Sequence, residues 1–214
     1  MLDTRLIPLT RPPLRWLAAR LDRLGITADQ VTIGGFVIGM LCIPLLALEW
    51  YVAALVVIVL NRLSDGLDGA LARIQGLSDS GGFLDIVLDF IFYNAVPFGF
   101  LLAHPEQNAL WSALLMLSFV GTGTTFLAFA IMANKYQLDS PDYPQKSLYY
   151  MGGLAEGTET IVALLLFCLF PQYFPWLAGL FAVMCWITTA ARIRAGFTTL
   201  KALSPRVKPK PGLQ

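Results

Sequence analysis

Long apolar stretches separated by short polar breaks run along most of the chain. Each stretch is about 20 residues long, the length that a helix needs to cross a hydrocarbon layer of roughly 30 Å. Backbone groups inside lipid must form their hydrogen bonds within their own segment, which favours helices. The pattern therefore predicts an all-α, polytopic membrane protein. Six transmembrane helices are predicted, near residues 31–48, 51–73, 82–103, 109–133, 149–170 and 174–197.

The first part of the chain has a different pattern. Between residues 11 and 24, leucines recur at three- and four-residue spacing, and arginines lie between them. Such a stretch is typical of an amphipathic helix that lies on a membrane surface. We therefore predict a single membrane domain over residues 1–214. Its parts are a cytoplasmic amphipathic segment (1–29), a six-helix bundle (31–197) and a basic cytoplasmic tail (198–214).

The composition agrees with a membrane protein. Hydrophobic residues make up 57% of the chain and charged residues 14%, whereas soluble domains carry about 25% charged residues. The formal net charge is +1, so no overall field favours nucleic acid as a partner. The three cysteines fall in apolar segments without metal-type spacing, and we expect them to pack as small apolar side chains.

The positions of the cations predict the orientation. If the N-terminus is cytoplasmic, all 15 Lys and Arg residues fall on the cytoplasmic side, including Arg62 and Arg73 at the inner end of the second span. The positive-inside rule requires only a bias toward that side. The sequence therefore predicts a multi-pass protein with both termini in the cytoplasm.

Four aspartates interrupt the apolar sequence of the second and third spans. Asp65 and Asp68 are three residues apart, and Asp85 and Asp89 are four apart, so each pair shares one face of its helix. A short connection makes the two helices antiparallel neighbours, with the pairs at similar depth at the cytoplasmic end. Carboxylates that converge in this way repel one another unless cations neutralise them. Mg²⁺ or Mn²⁺ is the expected cofactor, and two such ions could clamp a pyrophosphate.

These residues resemble the signature of the CDP-alcohol phosphotransferase family, D-x2-D-G-x2-A-R followed by a spacer and G-x3-D-x3-D. The spacer has seven residues, where eight is commonest in the family, and this departure falls in a loop. The likeness is to a small branch of the family in the bacterial inner membrane, and it implies a homodimer. The matching positions are Asp65, Asp68, Gly69, Ala72, Arg73, Gly81, Asp85 and Asp89.

The resemblance implies a role for each matching residue. Asp65, Asp68 and Asp85 would hold the metal ions, while Asp89 would contribute a ligand and act as general base for the acceptor hydroxyl. A phosphatidyl group would pass from CDP-diacylglycerol to a small alcohol, with release of CMP. The residues implied in nucleotide binding are Asp29, Thr32, Gly69, Ala72, Arg73 and Gly81.

The sequence indicates the acceptor alcohol less specifically than it indicates the metal site. Lys135 and Arg192, near the cytoplasmic ends of the fourth and sixth spans, could bind a phosphorylated acceptor such as glycerol 3-phosphate, which we take as the lead. Glu156 and Glu159 stand where inositol-phosphate-transferring members tend to place arginine, and they could instead bind polyol hydroxyls or an amine. Another small neutral or amine-bearing alcohol is therefore the alternative acceptor. A divalent-cation transporter is the alternative of another class.

Overall fold

The computed structural model describes residues 3–138 and 153–203, with side chains from residue 12 onward. These residues form helices joined by short connections and contain no strand. The all-α class is thus confirmed. The helices are α1 (Asp3–Arg23), α2 (Ala28–Met40), α3 (Cys42–Ala47), α4 (Tyr51–Gln75), α5 (Asp79–Ala103), α6 (Pro105–Lys135), α7 (Gly157–Leu169) and α8 (Phe174–Leu203).

Four segments of the described chain are long and apolar enough to cross a membrane: Ala28–Ala47, Asp79–Ala103, Pro105–Lys135 and Pro171–Leu203. They fit a multi-pass membrane protein. α4 has 25 residues but carries several charged side chains, and α7 has only 13 residues. The count of six transmembrane helices therefore stays a prediction.

The first predicted span is two helices rather than one. α2 ends at Met40 and α3 begins at Cys42, with Leu41 between them. Pro44 explains the interruption, because proline has no N–H to donate to the carbonyl four residues earlier, and its ring crowds that carbonyl. The break interrupts an otherwise apolar segment at a single residue.

Other boundaries also differ from the predictions. α7 begins at Gly157, later than the predicted span from residue 149, whose first residues lie outside the described part. α8 continues to Leu203, so the predicted tail from residue 198 begins as helix. α1 begins at Asp3, before the predicted start at residue 11. A helix does occupy this segment, and its location on a membrane surface stays a prediction.

α1 packs against α4 at the end where α4 stops. Leu14 lies against Gly66, where an added Cβ would be 3.0 Å from the leucine Cδ1. Gln75 at the end of α4 holds the turn between α1 and α2. Its amide nitrogen donates to Asp22 Oδ1 at 3.0 Å and to the Ile26 carbonyl at 2.8 Å. The Gln75 side-chain oxygen accepts the Ala28 N–H at 3.1 Å. These bonds set where α2 begins relative to α4.

Aromatic side chains fill the opposite half of the bundle. Phe100 stacks on Phe174 with ring centroids 4.2 Å apart and meets Phe167 edge-on at 6.3 Å. All three side chains are almost fully buried. The cysteines Cys42, Cys168 and Cys185 are also buried and unpaired by disulfides, which confirms their expected role as packing residues.

Candidate active site

Three of the four aspartates meet between α4 and α5. Three residues separate the end of α4 from the start of α5, and the Ser78 hydroxyl caps α5 by accepting the Gly81 N–H at 3.1 Å. Asp65, Asp68 and Asp85 each place a carboxylate oxygen within 4.8 Å of the others. Oxygens bound to one cation at about 2.0–2.6 Å span comparable separations. The donor set and spacing fit Mg²⁺ or Mn²⁺, as predicted.

Asp68 is the most enclosed of these carboxylates. Its residue is only 5% exposed, and its Oδ2 accepts a hydrogen bond of 2.6 Å from the Thr32 hydroxyl on α2. The same hydroxyl is within 3.1 Å of the Ala28 carbonyl, one turn earlier on α2. α2 therefore helps to orient Asp68, a predicted metal ligand on α4, in the way that neighbouring hydrogen bonds usually orient ligating side chains.

Asp89 lies beside this group but has a different partner. Its Oδ1 accepts a hydrogen bond from Arg62 Nη2 at 2.7 Å. Arg62 also lies 3.9 Å from Asp65 Oδ2. The side chain of Asp89 remains 27% accessible and that of Asp65 37%. Asp89 is thus within reach of a substrate while ion-paired to the protein.

The four carboxylates border one cleft, which we call the carboxylate cleft, with about 240 Å³ of empty space when the open solvent at its mouth is included. Its walls come from α2, α4 and α5, so the predicted convergence of the two aspartate pairs is confirmed. The lining residues are Thr32, Gly35, Phe36, Asn61, Arg62, Ser64, Asp65, Asp68, Asp85, Leu88 and Asp89.

The residues implied in nucleotide binding lie around the mouth of the cleft. Asp29 at the start of α2 faces Gly81 at the start of α5, where an added Cβ would be 3.0 Å from Asp29 Oδ1. Arg73 Nη1 donates to the Gly69 carbonyl at 2.7 Å, one turn back on α4. Ala72 lies next to Arg73 on the same helix. The structure therefore brings these residues to one end of the bundle, and their contact with a nucleotide stays a prediction.

The glycines Gly66 and Gly69 of α4 have different surroundings. Gly66 lies against Leu14 of α1, so it serves helix packing. Gly69 has open space beside it, since an added Cβ would meet nothing nearer than the Arg73 guanidinium at 3.8 Å. Gly69 is therefore where a bulky ligand could approach the α4 backbone.

Of the residues predicted to bind the acceptor, Arg192 lies deepest. It is 8% exposed, and its Nη1 is 3.3 Å from the Thr122 carbonyl on α6. The adjoining Gly123 packs against Phe90, the neighbour of Asp89 in sequence. Arg192 is therefore at the depth of Asp89, one helix removed.

Lys135 is in a different place. It is the last residue of α6 and is exposed, with its amine 5.9 Å from the Tyr136 ring centroid. At 1.5 Å per residue, it lies about 20 Å along the helix from Thr122. The structure does not bring Lys135 and Arg192 together at one depth.

Glu156 and Glu159 form a cap at the start of α7. Each side chain accepts the backbone N–H of the other residue, and Glu156 Oε1 also accepts the Gly153 N–H at 2.8 Å. Thr188 of α8 holds the same turn by accepting the N–H groups of Leu154 and Ala155. These contacts give the two glutamates a structural role, and their contact with an acceptor stays a prediction.

Arg62 is the residue of this site that the sequence analysis did not identify. The sequence predicts Arg62 only as a cytoplasmic cation, whereas the structure places it in the middle of α4 with 7% of its side chain accessible. A buried arginine in an apolar helix, one turn before Asp65, was the available signal. Asn61 and Tyr93 were missed with it, and both bond to its guanidinium.

The family of the protein follows from comparison with known proteins. The sequence model of the CDP-alcohol phosphatidyltransferase family matches residues 25–193. The chain therefore belongs to this family, and the predicted enzyme class, a CDP-alcohol phosphatidyltransferase, is confirmed.

Two relatives are similar in sequence. The inner membrane protein YnjF of Escherichia coli (strain K12) is 58% identical over 203 residues, which are 95% of this chain and 98% of that protein. The archaetidylinositol phosphate synthase of Pyrococcus horikoshii is 36% identical over 97 residues, or 45% of this chain and 52% of that protein.

Solved structures share the fold. The phosphatidylinositol phosphate synthase of Mycobacterium tuberculosis with CDP-DAG bound aligns with a TM-score of 0.67 at 23% identity, over 94% of this chain and 98% of that one. Its complex with manganese and citrate gives a TM-score of 0.70 at 24% identity, over 93% and 96% of the two chains.

Proposed function

We propose that this protein transfers the phosphatidyl group of CDP-diacylglycerol to a small phosphorylated polyol, with glycerol 3-phosphate as the lead acceptor. The observation that carries the proposal is the position of Arg192, a buried cation at the depth of Asp89 and separated from it by one helix. Arginine suits the phosphate of such an acceptor, because charge-assisted hydrogen bonds from a guanidinium to phosphate oxygens are strong.

Asp89 is the group that would receive the proton in this reaction. The acceptor oxygen forms a bond to the phosphorus that carries diacylglycerol, the bond from that phosphorus to CMP breaks, and the hydroxyl proton passes to the Asp89 carboxylate. Asp65, Asp68 and Asp85 would hold the divalent ions, two in the family pattern. When bound, these ions neutralise the pyrophosphate and polarise the phosphorus.

The donor suits a cleft at one end of a membrane bundle. The mouth between α2 and α5 holds Asp29 and Gly81, and Gly69 and Arg73 lie on α4 beside it. A cytidine group could occupy this polar mouth while acyl chains lie along the apolar outer faces of the helices. The CDP-DAG held by the M. tuberculosis synthase of the same fold supports this choice of donor.

Inositol phosphate is a second candidate acceptor. Two of the similar proteins are synthases of inositol phosphate lipids. Against it, Glu156 and Glu159 occupy positions where the sequence pattern of such enzymes tends to have arginine, and both carboxylates bond to backbone N–H groups of the α7 cap. We therefore rank it below glycerol 3-phosphate and above a neutral or amine-bearing alcohol.

A divalent-cation transporter is supported less well. A transport path would have to continue from the carboxylate cleft to the other end of the bundle. In the described residues, that half is closed by buried apolar side chains such as Ile58, Val96 and Phe100. The cleft therefore opens at one end.

The test is CMP release from CDP-diacylglycerol by purified protein with Mn²⁺ and separate acceptors: glycerol 3-phosphate, inositol 1-phosphate, glycerol, inositol, serine and ethanolamine. We expect the highest turnover with glycerol 3-phosphate. Highest turnover with a neutral or amine acceptor would contradict the proposal, and metal transport without CMP release would favour the transporter.

Two variants identify the acceptor phosphate site. Arg192→Gln should raise the KM for the phosphorylated acceptor by about tenfold or more, since it removes a buried charge-assisted contact. Lys135→Ala is measured beside it, because the sequence predicts that Lys135 also binds the acceptor phosphate and would therefore raise the same KM when removed. Equal effects on phosphorylated and unphosphorylated acceptors would count against either residue.

We further propose that the protein lies in a bacterial inner membrane as a homodimer, with both termini and the cleft at the cytoplasmic face. The relative YnjF is an inner membrane protein. α1 packs against the end of α4, and α8 runs beside α6 to the same end, since Gly121 packs on Thr189 and Gly196 on Phe129. Labelling a cysteine introduced at Lys201 in intact spheroplasts should fail, and cross-linking in membranes should give a dimer.

A further inference from the structure

Arg62 is a buried arginine in the middle of α4. It lies in α4, and only 7% of its side chain is accessible. Charged side chains at such depth are costly and usually serve a function. Neither the metal ligands nor the nucleotide site described above accounts for its presence.

All three nitrogens of the guanidinium have partners in the protein. Nε donates to Asn61 Oδ1 at 2.8 Å, Nη1 to the Tyr93 hydroxyl at 2.9 Å, and Nη2 to Asp89 Oδ1 at 2.7 Å. Its carbon lies over the Phe92 and Tyr93 rings, 4.5 Å and 4.9 Å from their centroids. Arg62 is therefore fixed in direction and has little capacity left for a substrate phosphate.

Asn61 connects this arrangement to a third helix. It is 4% exposed, and its Nδ2 donates to the Gly35 carbonyl of α2 at 3.0 Å. Its Oδ1 accepts the hydrogen bond from Arg62 Nε. A Cβ added to Gly39 would be 2.7 Å from Asn61 Nδ2, so α2 leaves only enough room for this amide. The guanidinium is thus held against α2, α4 and α5 together.

The consequence concerns Asp89. The other three aspartates place oxygens within 4.8 Å of one another, whereas Asp89 is paired with Arg62. We propose that Arg62 is a positioning residue that holds Asp89 beside the metal ligands in the orientation from which it receives the acceptor proton. This inference rests on the proposed function, because it assigns a purpose to the base of that reaction.

The test compares Arg62→Gln and Arg62→Lys with the wild type in two measurements. Turnover is followed as CMP release, with separate kcat and KM values, and Mn²⁺ binding without nucleotide is followed by electron paramagnetic resonance. Arg20→Gln is the matched control, because Arg20 is exposed on α1 and lies over the Trp16 ring. It should leave both measurements unchanged.

For Arg62→Gln we expect kcat to fall by about a hundredfold, the order of loss that follows from misplacing a reacting group by about 1 Å. Mn²⁺ should bind as tightly or severalfold more tightly, because a positive charge has been removed from beside the carboxylates. Arg62→Lys should restore part of kcat. A damaged cleft would instead lose Mn²⁺ affinity together with activity.

Three results would overturn the proposal. They are an unchanged kcat, a loss of Mn²⁺ affinity parallel to the loss of kcat, or a raised KM for CDP-diacylglycerol with kcat intact. If Arg62→Gln does not fold, Arg62→Lys and Tyr93→Phe carry the same test, with a smaller expected loss of kcat and unchanged Mn²⁺ binding. Failure of the wild type to release CMP with any acceptor would refute the proposed reaction, while the Mn²⁺ measurement would still show whether the cleft keeps its cation affinity without Arg62.

Discussion

The two halves of α4 and α5 have opposite chemistry, although the same two helices build both. From the middle of α4 toward the end where it stops, and in the facing part of α5, four aspartates and Arg62 surround a cleft. At the other end, Phe100 lies between Tyr51 and Phe174 in a stack of aromatic rings, with centroid distances of 5.8 Å and 4.2 Å. One half concentrates like charges, and the other buries apolar surface.

This difference separates stability from function within one helix pair. Neighbouring carboxylates oppose folding unless a cation is bound, whereas buried aromatic rings favour it. The aromatic half can therefore hold α4 and α5 together while the other half keeps a geometry that costs free energy. Substitutions in the two halves should consequently have different signatures.

The largest expected effect is on turnover, from Asp89→Asn in the cleft. CMP release should fall by about 10²–10⁴-fold with every acceptor, because the proton would lose its receiving group. The protein should remain folded in detergent, as judged by its thermal unfolding. Retained turnover would show that another group is the base.

Phe100→Ala should give the opposite signature. Loss of a buried ring that contacts Phe167 and Phe174 should lower the free energy of unfolding by about 3–5 kcal/mol. Mn²⁺ affinity of the folded protein should not change. Leu102→Ala, at an exposed position of the same helix, is the control and should have little effect on unfolding. Weakened Mn²⁺ binding in folded Phe100→Ala would mean that the two halves are not separable.

A smaller effect is expected from Thr32→Val, which keeps the side-chain shape but removes the hydrogen bond to Asp68. The kcat/KM for the donor should fall by about tenfold, since hydrogen bonds to charged groups contribute about 1.5–3 kcal/mol. Thr124→Val is the matched control, because the exposed Thr124 hydroxyl bonds only to its own helix. The same kcat/KM in Thr32→Val and wild type would show that α2 does not help to orient Asp68.

The cleft was predictable from the sequence because its main determinants are local. Spacings of three and four residues put each aspartate pair on one helix face, and the short connection after α4 made the helices neighbours. The Ser78 cap of α5 follows from its position before the third span. Such features depend on a few residues and do not require knowledge of distant contacts.

The role of Arg62 and the depth of Arg192 depend on packing between helices. The spacing of residues along the sequence does not specify this packing. Arg62 reaches Asp89 only because α4 and α5 adopt one rotation relative to each other. Arg192 is near the depth of Asp89 because α8 packs on α6 with Gly121 against Thr189. Pro44 in the sequence indicated a helix break, but the continuous apolar pattern around it predicted a single span.

We predict that Asp65, Asp68 and Asp85 together bind a divalent cation, and this can be measured as Mn²⁺ binding to the purified protein. Asp85→Asn should weaken binding by at least about tenfold, as expected for the loss of a ligand. Asp79→Asn, six residues earlier on the same helix and exposed, should bind Mn²⁺ as the wild type does. Equal Mn²⁺ affinity in all three proteins would contradict the claim.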